Sequence, residues 1–192
     1  ALMKGRITTG AIKLFGGPII AFVTLVPLMH YNTTNVILDV IAISLVANVF
    51  NLLDLSPGRC SKYAIFGLIP GCFLFVYGSY QYWIIGIVAM IIVLDLRERF
   101  MLGDAGANAL GAMVGFNLVV GGSDALYGSP FQSNTLSIVV IAIALGLNLL
   151  SEFVSFSKII NGFFLLRWFD ELGQTKQRKA WNKSKREFGS SK

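Results

Sequence analysis

The chain has 192 residues, of which 55% are hydrophobic and 14% charged, and its formal net charge is +6. Such a balance excludes an ordinary water-soluble domain and points to a multi-span membrane protein. It also argues against nucleic acid as a partner, because no stacking platform or recognised binding motif accompanies the modest positive charge.

A helix needs about 20 apolar residues to cross the hydrocarbon of a bilayer. Six runs approach that length, at 14–30, 35–53, 63–79, 82–95, 105–121 and 135–153, with the fourth the shortest. They lack the alternating polar residues of a water-lined barrel. The expected fold is therefore all-α, a multi-span membrane helical bundle of about six transmembrane helices. Lys4 to Gly10 is a polar, basic approach to the first run, in which Gly16-Gly17-Pro18 is placed to bend the helix. Lys4, Arg6 and Lys13 precede the first run, Arg59 and Lys62 follow the second, and Arg97 and Arg99 follow the fourth. Every other basic residue, from Lys158 onward, follows the sixth, so all 16 share one face. The positive-inside rule makes that face cytoplasmic, with both termini inside and the chain a multi-pass protein of the cell (inner) membrane. Gly111 and Gly115, four apart in the fifth run, would let another helix approach closely.

Residues 1–157 thus form the expected bundle. Residues 158–172, Lys158 to Leu172, are densely apolar and aromatic but too short to span, so an interfacial amphipathic helix is expected there. Residues 173–192 form a basic tail whose Lys176, Arg178, Lys179, Lys183, Lys185 and Arg186 suit anionic lipid as a partner. Cys60 and Cys72 are too few for a disulfide framework. The topology puts Cys60 in water at the cytoplasmic surface and Cys72 deeper in a span.

Two polar clusters interrupt the apolar chain, each at an end of a membrane-length run. Boundary carboxylates are costly unless they meet water, a counter-charge or a metal, so these clusters are the candidate site. In the first, Asn48, Asn51 and Asp54 are spaced by three and lie along one stripe at the end of the second run. Pro57-Gly58 then ends the helix, and Arg59 offers a planar cation suited to phosphate. The alternative is a capping cluster in which Asp54 pairs with Arg59. In the second, Gly103 and Gly106 flank Asp104 and leave backbone room for a ligand beside the carboxylate. Here the alternative is that Asp104 simply caps its helix. Together the clusters suit a Mg²⁺ ion holding phosphate oxygens.

Asn51-Leu-Leu-Asp54 with Pro57-Gly58, and Met101-Leu-Gly103-Asp104-Ala-Gly106-Ala, resemble the Asn-x-x-Asp-Gly and Gly-Asp-x-Gly-Ser motifs of the polyprenyl-phosphate N-acetylhexosamine-1-phosphate transferases, the superfamily of phospho-N-acetylmuramoyl-pentapeptide transferase. The resemblance covers roughly residues 4–172 and is to the C-terminal portion of that family. It implies that Asp104 is the Mg²⁺ ligand and that Asp54 and Asp104 are the catalytic carboxylates. It further implies that Asn48 and Asn51 line the nucleotide-sugar site, with Arg59, Arg97 and Arg99 offsetting phosphate charge. The implied reaction transfers a sugar 1-phosphate from a UDP-amino sugar to polyprenyl phosphate in cell-envelope polymer synthesis. The family's Asp-Asp pair does not occur in this sequence, and its late His-rich motif is missing, His30 being the one histidine. Missing helices would come from a second copy of the chain or from a partner chain. A non-catalytic membrane subunit or lipid-binding scaffold is the alternative function; a small transporter fits less well, because the polar residues gather at one membrane face rather than near the midplane.

Overall fold

A computed structural model describes residues 33–56, 58–74, 86, 89–91, 93–95, 102–121, 134–172 and 174. The expected first span at 14–30, Arg97, Arg99 and all of the basic tail except Gln174 lie outside those residues. Among the described residues every regular element is helical: α1 (Thr33–Leu53), α2 (Arg59–Leu74), α3 (Gly103–Phe116), α4 (Asn134–Phe153), α5 (Phe156–Gly162) and α6 (Phe164–Glu171). From α3 the chain passes without a break into a π-helical turn, Asn117–Gly121.

Two of these helices, Thr34–Leu53 within α1 and Asn134–Phe153, are long and apolar enough to cross a membrane. They match the second and sixth expected runs within two residues. The fifth run also coincides with continuous helix, from Gly103 to Gly121. α2 starts four residues before its run, because Gly58 takes a positive φ of 74° and turns the chain directly into Arg59. Of the fourth run, residues 86, 89–91 and 93–95 are described, all helical.

Glycine sets how the helices meet. A Cβ on Gly111 would lie 2.7 Å from both the Ala47 Cα and the Phe50 Cβ, and one on Gly115 would lie 3.0 Å from the Ile43 Cα. α3 therefore rests on the backbone of α1 through those two residues, as their spacing predicts. The interior combines Val46, Phe50 and Leu53 of α1 with Ala64 and Leu68 of α2 and Leu110 and Val114 of α3. α4 joins α1 through polar contacts: Ser137 Oγ donates to Asp39 Oδ1 at 2.5 Å, and Asn148 Nδ2 donates to the Leu45 carbonyl at 3.1 Å. Its other faces leave Ile138, Ile143, Leu145 and Leu149 exposed.

The segment expected as one interfacial helix at 158–172 is instead two. Chain direction changes at Val154–Ser155, and again at Phe163, whose extended backbone (φ −99°, ψ 123°) separates α5 from α6.

Candidate carboxylate site

α1 ends where the Asp54 N–H bonds the Phe50 carbonyl at 3.1 Å, and the turn through Ser56 and Gly58 leads into α2. That turn is held by Asp95. The fully buried Asp95 carboxylate accepts the Gly58 N–H at 3.0 Å on Oδ1 and the Ser61 hydroxyl on Oδ2. It thus caps the N-terminus of α2 from another part of the chain, a position where negative charge is stabilised by the helix.

Asp54 sits between this cap and the start of α3. Burial first, and then the charge of Asp95, push its pKa above the ordinary carboxylate range; Asp104 adds to the rise, and a hydrogen bond from the Gly103 N–H opposes it. Gly103 supplies that amide from a backbone with φ +65°, a conformation that glycine adopts without strain. One oxygen of Asp54, Oδ1, and the side-chain carbonyl of Asn51 are buried and accept no hydrogen bond. A buried acceptor left without a donor costs roughly 1–3 kcal/mol, so a cation or a donor would be favourable at each.

Asp104 lies in the first turn of α3, exposed, and it is not the N-cap: that position is Leu102, which makes no side-chain capping bond. The capping alternative for Asp104 is thereby corrected, although the helix N-terminus still favours its charge. Among the described residues, no three His, Cys, Asp or Glu side chains gather as a metal-binding group. Mg²⁺ needs only one or two carboxylates when phosphate oxygens and water complete its shell. Asp54, Asn51 and Asp104 are the oxygen donors at hand for that.

Two expected site residues are committed elsewhere. Asn48 turns to α4, where its Nδ2 donates to Asn148 Oδ1 at 2.6 Å. Arg59 is buried and bound through Nε and Nη2 to both oxygens of Asp170, at 2.8 and 2.9 Å, with Nη1 on the Ser157 hydroxyl at 2.9 Å. It pairs neither with Asp54, as the capping alternative required, nor with an open phosphate site. Lys62 Nζ and Gln174 Nε2 both donate to the Asp170 carbonyl, satisfying the end of α6. Phe169 packs edge-on against Tyr63 and Phe66, with ring centroids 5.5 and 4.8 Å away. Cys60, expected in water, is wholly buried behind this clamp; its thiol faces the Phe50 carbonyl, and burial pushes its pKa up to about 12.

The sequence reading did not select Asp95, Asp170 or Asn148. The signal for Asp170 is an Asp170-Glu171 pair at the end of an otherwise aromatic and basic segment. Neither the family models, the curated proteins nor the solved structures compared with this chain give a match.

Proposed function

We propose that the chain is a membrane-embedded, Mg²⁺-dependent transferase of the polyprenyl-phosphate N-acetylhexosamine-1-phosphate type, acting on a UDP-amino sugar and polyprenyl phosphate. The observation that carries the reading is the pair of buried, donor-less oxygens on Asn51 and Asp54, the Asp54 carboxylate also accepting from the Gly103 N–H and feeling the charge of Asp104. A multi-pass membrane setting is supported by α4, an apolar helix whose exposed Ile138, Ile143 and Leu149 would be unfavourable in water and are suited to lipid.

Asp54 and Asp104 would hold the metal ion, with Asn51 beside them. When bound, the ion would neutralise charge on the diphosphate, which is the main obstacle when two anionic phosphates approach. The protein's own share is positional. Asp95 fixes the turn after Asp54, and the Gly103 N–H orients the Asp54 carboxylate, so the acids are set before substrate arrives. Emphasis falls on Asp54, a half-buried residue with one buried oxygen to offer, beside the exposed Asp104 that the resemblance implies as the ligand.

The withdrawal of Arg59 into its pair with Asp170 favours the second reading, a non-catalytic membrane subunit or lipid-binding scaffold without turnover. One titration tests the metal site and separates the two. Mn²⁺ binding to the purified chain, read by its electron paramagnetic resonance signal, should tighten when UDP-N-acetylglucosamine is added, and Asp54→Asn and Asp104→Asn should each weaken it. Equal Mn²⁺ affinity in wild type and both variants would remove the site. Nucleotide-dependent Mn²⁺ binding without release of UMP on adding undecaprenyl phosphate would select the scaffold.

A further inference from the structure

α6 has two faces that the chain uses in opposite ways. At 100° per residue, Phe164, Trp168, Leu172 and Leu165 fall within a sector of about 100°. All four are exposed, Phe164 and Leu165 by 68% and 73%, and Phe163 and Phe153, at the end of α4, are exposed as well. The other face carries Phe169 and Asp170, which grip Tyr63, Phe66, Arg59 and Lys62 of α2. On one edge of the strip Glu171 and Arg167 follow Phe164, and the Arg167 guanidinium lies over the Phe164 ring, 5.8 Å from its centre; Lys158 is exposed on α5. An apolar stripe that carries Trp and Phe, with an Arg stem laid along it, is the pattern of a helix that lies in the bilayer interface.

We propose that α6 is an anchor that inserts Phe164, Leu165 and Trp168 into an anionic leaflet and, through Asp170 on its opposite face, holds the first turn of α2 and with it the Asp54 loop. The occupant is lipid rather than protein because α6 follows closely in the chain a membrane-length helix whose own exposed side chains are apolar, and Arg167 beside the strip and exposed Lys158 on α5 suit anionic headgroups. The clamp gives the anchor a consequence. Arg59 follows Asp54 by five residues, so a shift of α6 relative to the membrane would act on the turn that positions Asp54. This anchoring does not require the transfer chemistry proposed above.

Trp168 reports on it directly. The sequence has three tryptophans, so Trp83→Phe with Trp181→Phe leaves Trp168 alone. This chain is reconstituted in phosphatidylcholine–phosphatidylglycerol vesicles whose acyl chains carry bromine, and its emission is compared with that in unbrominated vesicles and in the presence of aqueous iodide. Strong quenching by brominated lipid with little by iodide is the expected result. Quenching by iodide alone would place α6 in water, and insensitivity to both would mean that a protein surface or a second copy covers the strip; either overturns the proposal. For the clamp, Phe164→Ser with Leu165→Ser should lose the brominated-lipid quenching and speed alkylation of Cys60. Trp168 lifted into water with the Cys60 rate unchanged would refute the coupling.

Discussion

Removal of Asp170 is the sharpest perturbation of the fold around the site. Its carboxylate meets Arg59 through two parallel hydrogen bonds, with both side chains less than one-tenth exposed. Asp170→Ala would leave a buried guanidinium with Ser157 as its remaining side-chain partner. Breaking one side of a buried pair costs about 3–5 kcal/mol, because the surviving charge stays desolvated. Cys60, next to Arg59 and wholly buried with a thiol pKa near 12, is unreactive until the turn opens. Its alkylation in a Cys72→Ala background therefore measures the opening. A loss of about 3 kcal/mol raises an opening equilibrium, and with it the labelling rate, by roughly 100-fold. The double variant Arg59→Met with Asp170→Leu removes both charges and should label far more slowly than Asp170→Ala, since apolar replacement of a buried pair is often neutral. A wild-type labelling rate in Asp170→Ala, or a double variant as fast as the single one, would refute the reasoning.

Three further outcomes follow from the packing and electrostatics. Gly111→Ala should destabilise the protein by about 1–3 kcal/mol in detergent denaturation, through overpacking against Ala47 and Phe50, whereas Gly146→Ala, where a Cβ meets nothing within 4 Å, should stabilise by up to about 1 kcal/mol through helix propensity. Ser137→Ala should cost about 0.6–1.7 kcal/mol in the same assay, the range for interhelical hydrogen bonds in membranes, because it removes the donor to Asp39. Burial and Asp95 raise the folded pKa of Asp54 above its unfolded value, so the stability tied to its proton is present below the unfolded value and is lost as pH rises through the folded one. A divalent cation needs the deprotonated form, so Mn²⁺ affinity should climb through that same raised window, and Asp54→Asn should flatten the climb.

The helices were legible where apolar length and small-residue spacing decide the outcome. α1, the helix from Gly103 to Gly121, and α4 fall where the runs of apolar residues put them, and Gly111 and Gly115 do what their four-residue spacing implies. The clamp was not legible. Arg59 and Asp170 stand 111 residues apart, and nothing local tells an arginine beside Asp54 that its partner is a carboxylate on a late amphipathic helix. Cys60 was misplaced for the same reason. Flanked by Arg59, Ser61 and Lys62, it reads as a surface residue, but those neighbours are themselves drawn inward, to Asp170 and Asp95, and the thiol goes with them. Asn48, expected at the nucleotide-sugar site, is instead bonded to Asn148 of α4, a partner 100 residues away that no local pattern points to.

These misplacements bear on where a cation would bind. The nearest basic side chain in sequence to Asp54 is Arg59, and simple attraction would join them. Asp170 takes Arg59 with two hydrogen bonds in a buried setting, and Asp95 is filled by the Gly58 N–H and the Ser61 hydroxyl. Asp54 is left among like charges, held by one N–H, with Oδ1 buried and without a donor. A carboxylate in that position is disfavoured in its charged form, and under the proposed function a divalent ion from solution would relieve that cost. The arrangement that removes the resident arginine is thus the one that leaves the acid open, and the ion carrying a phosphate would complete a charge balance that the protein leaves unfilled there.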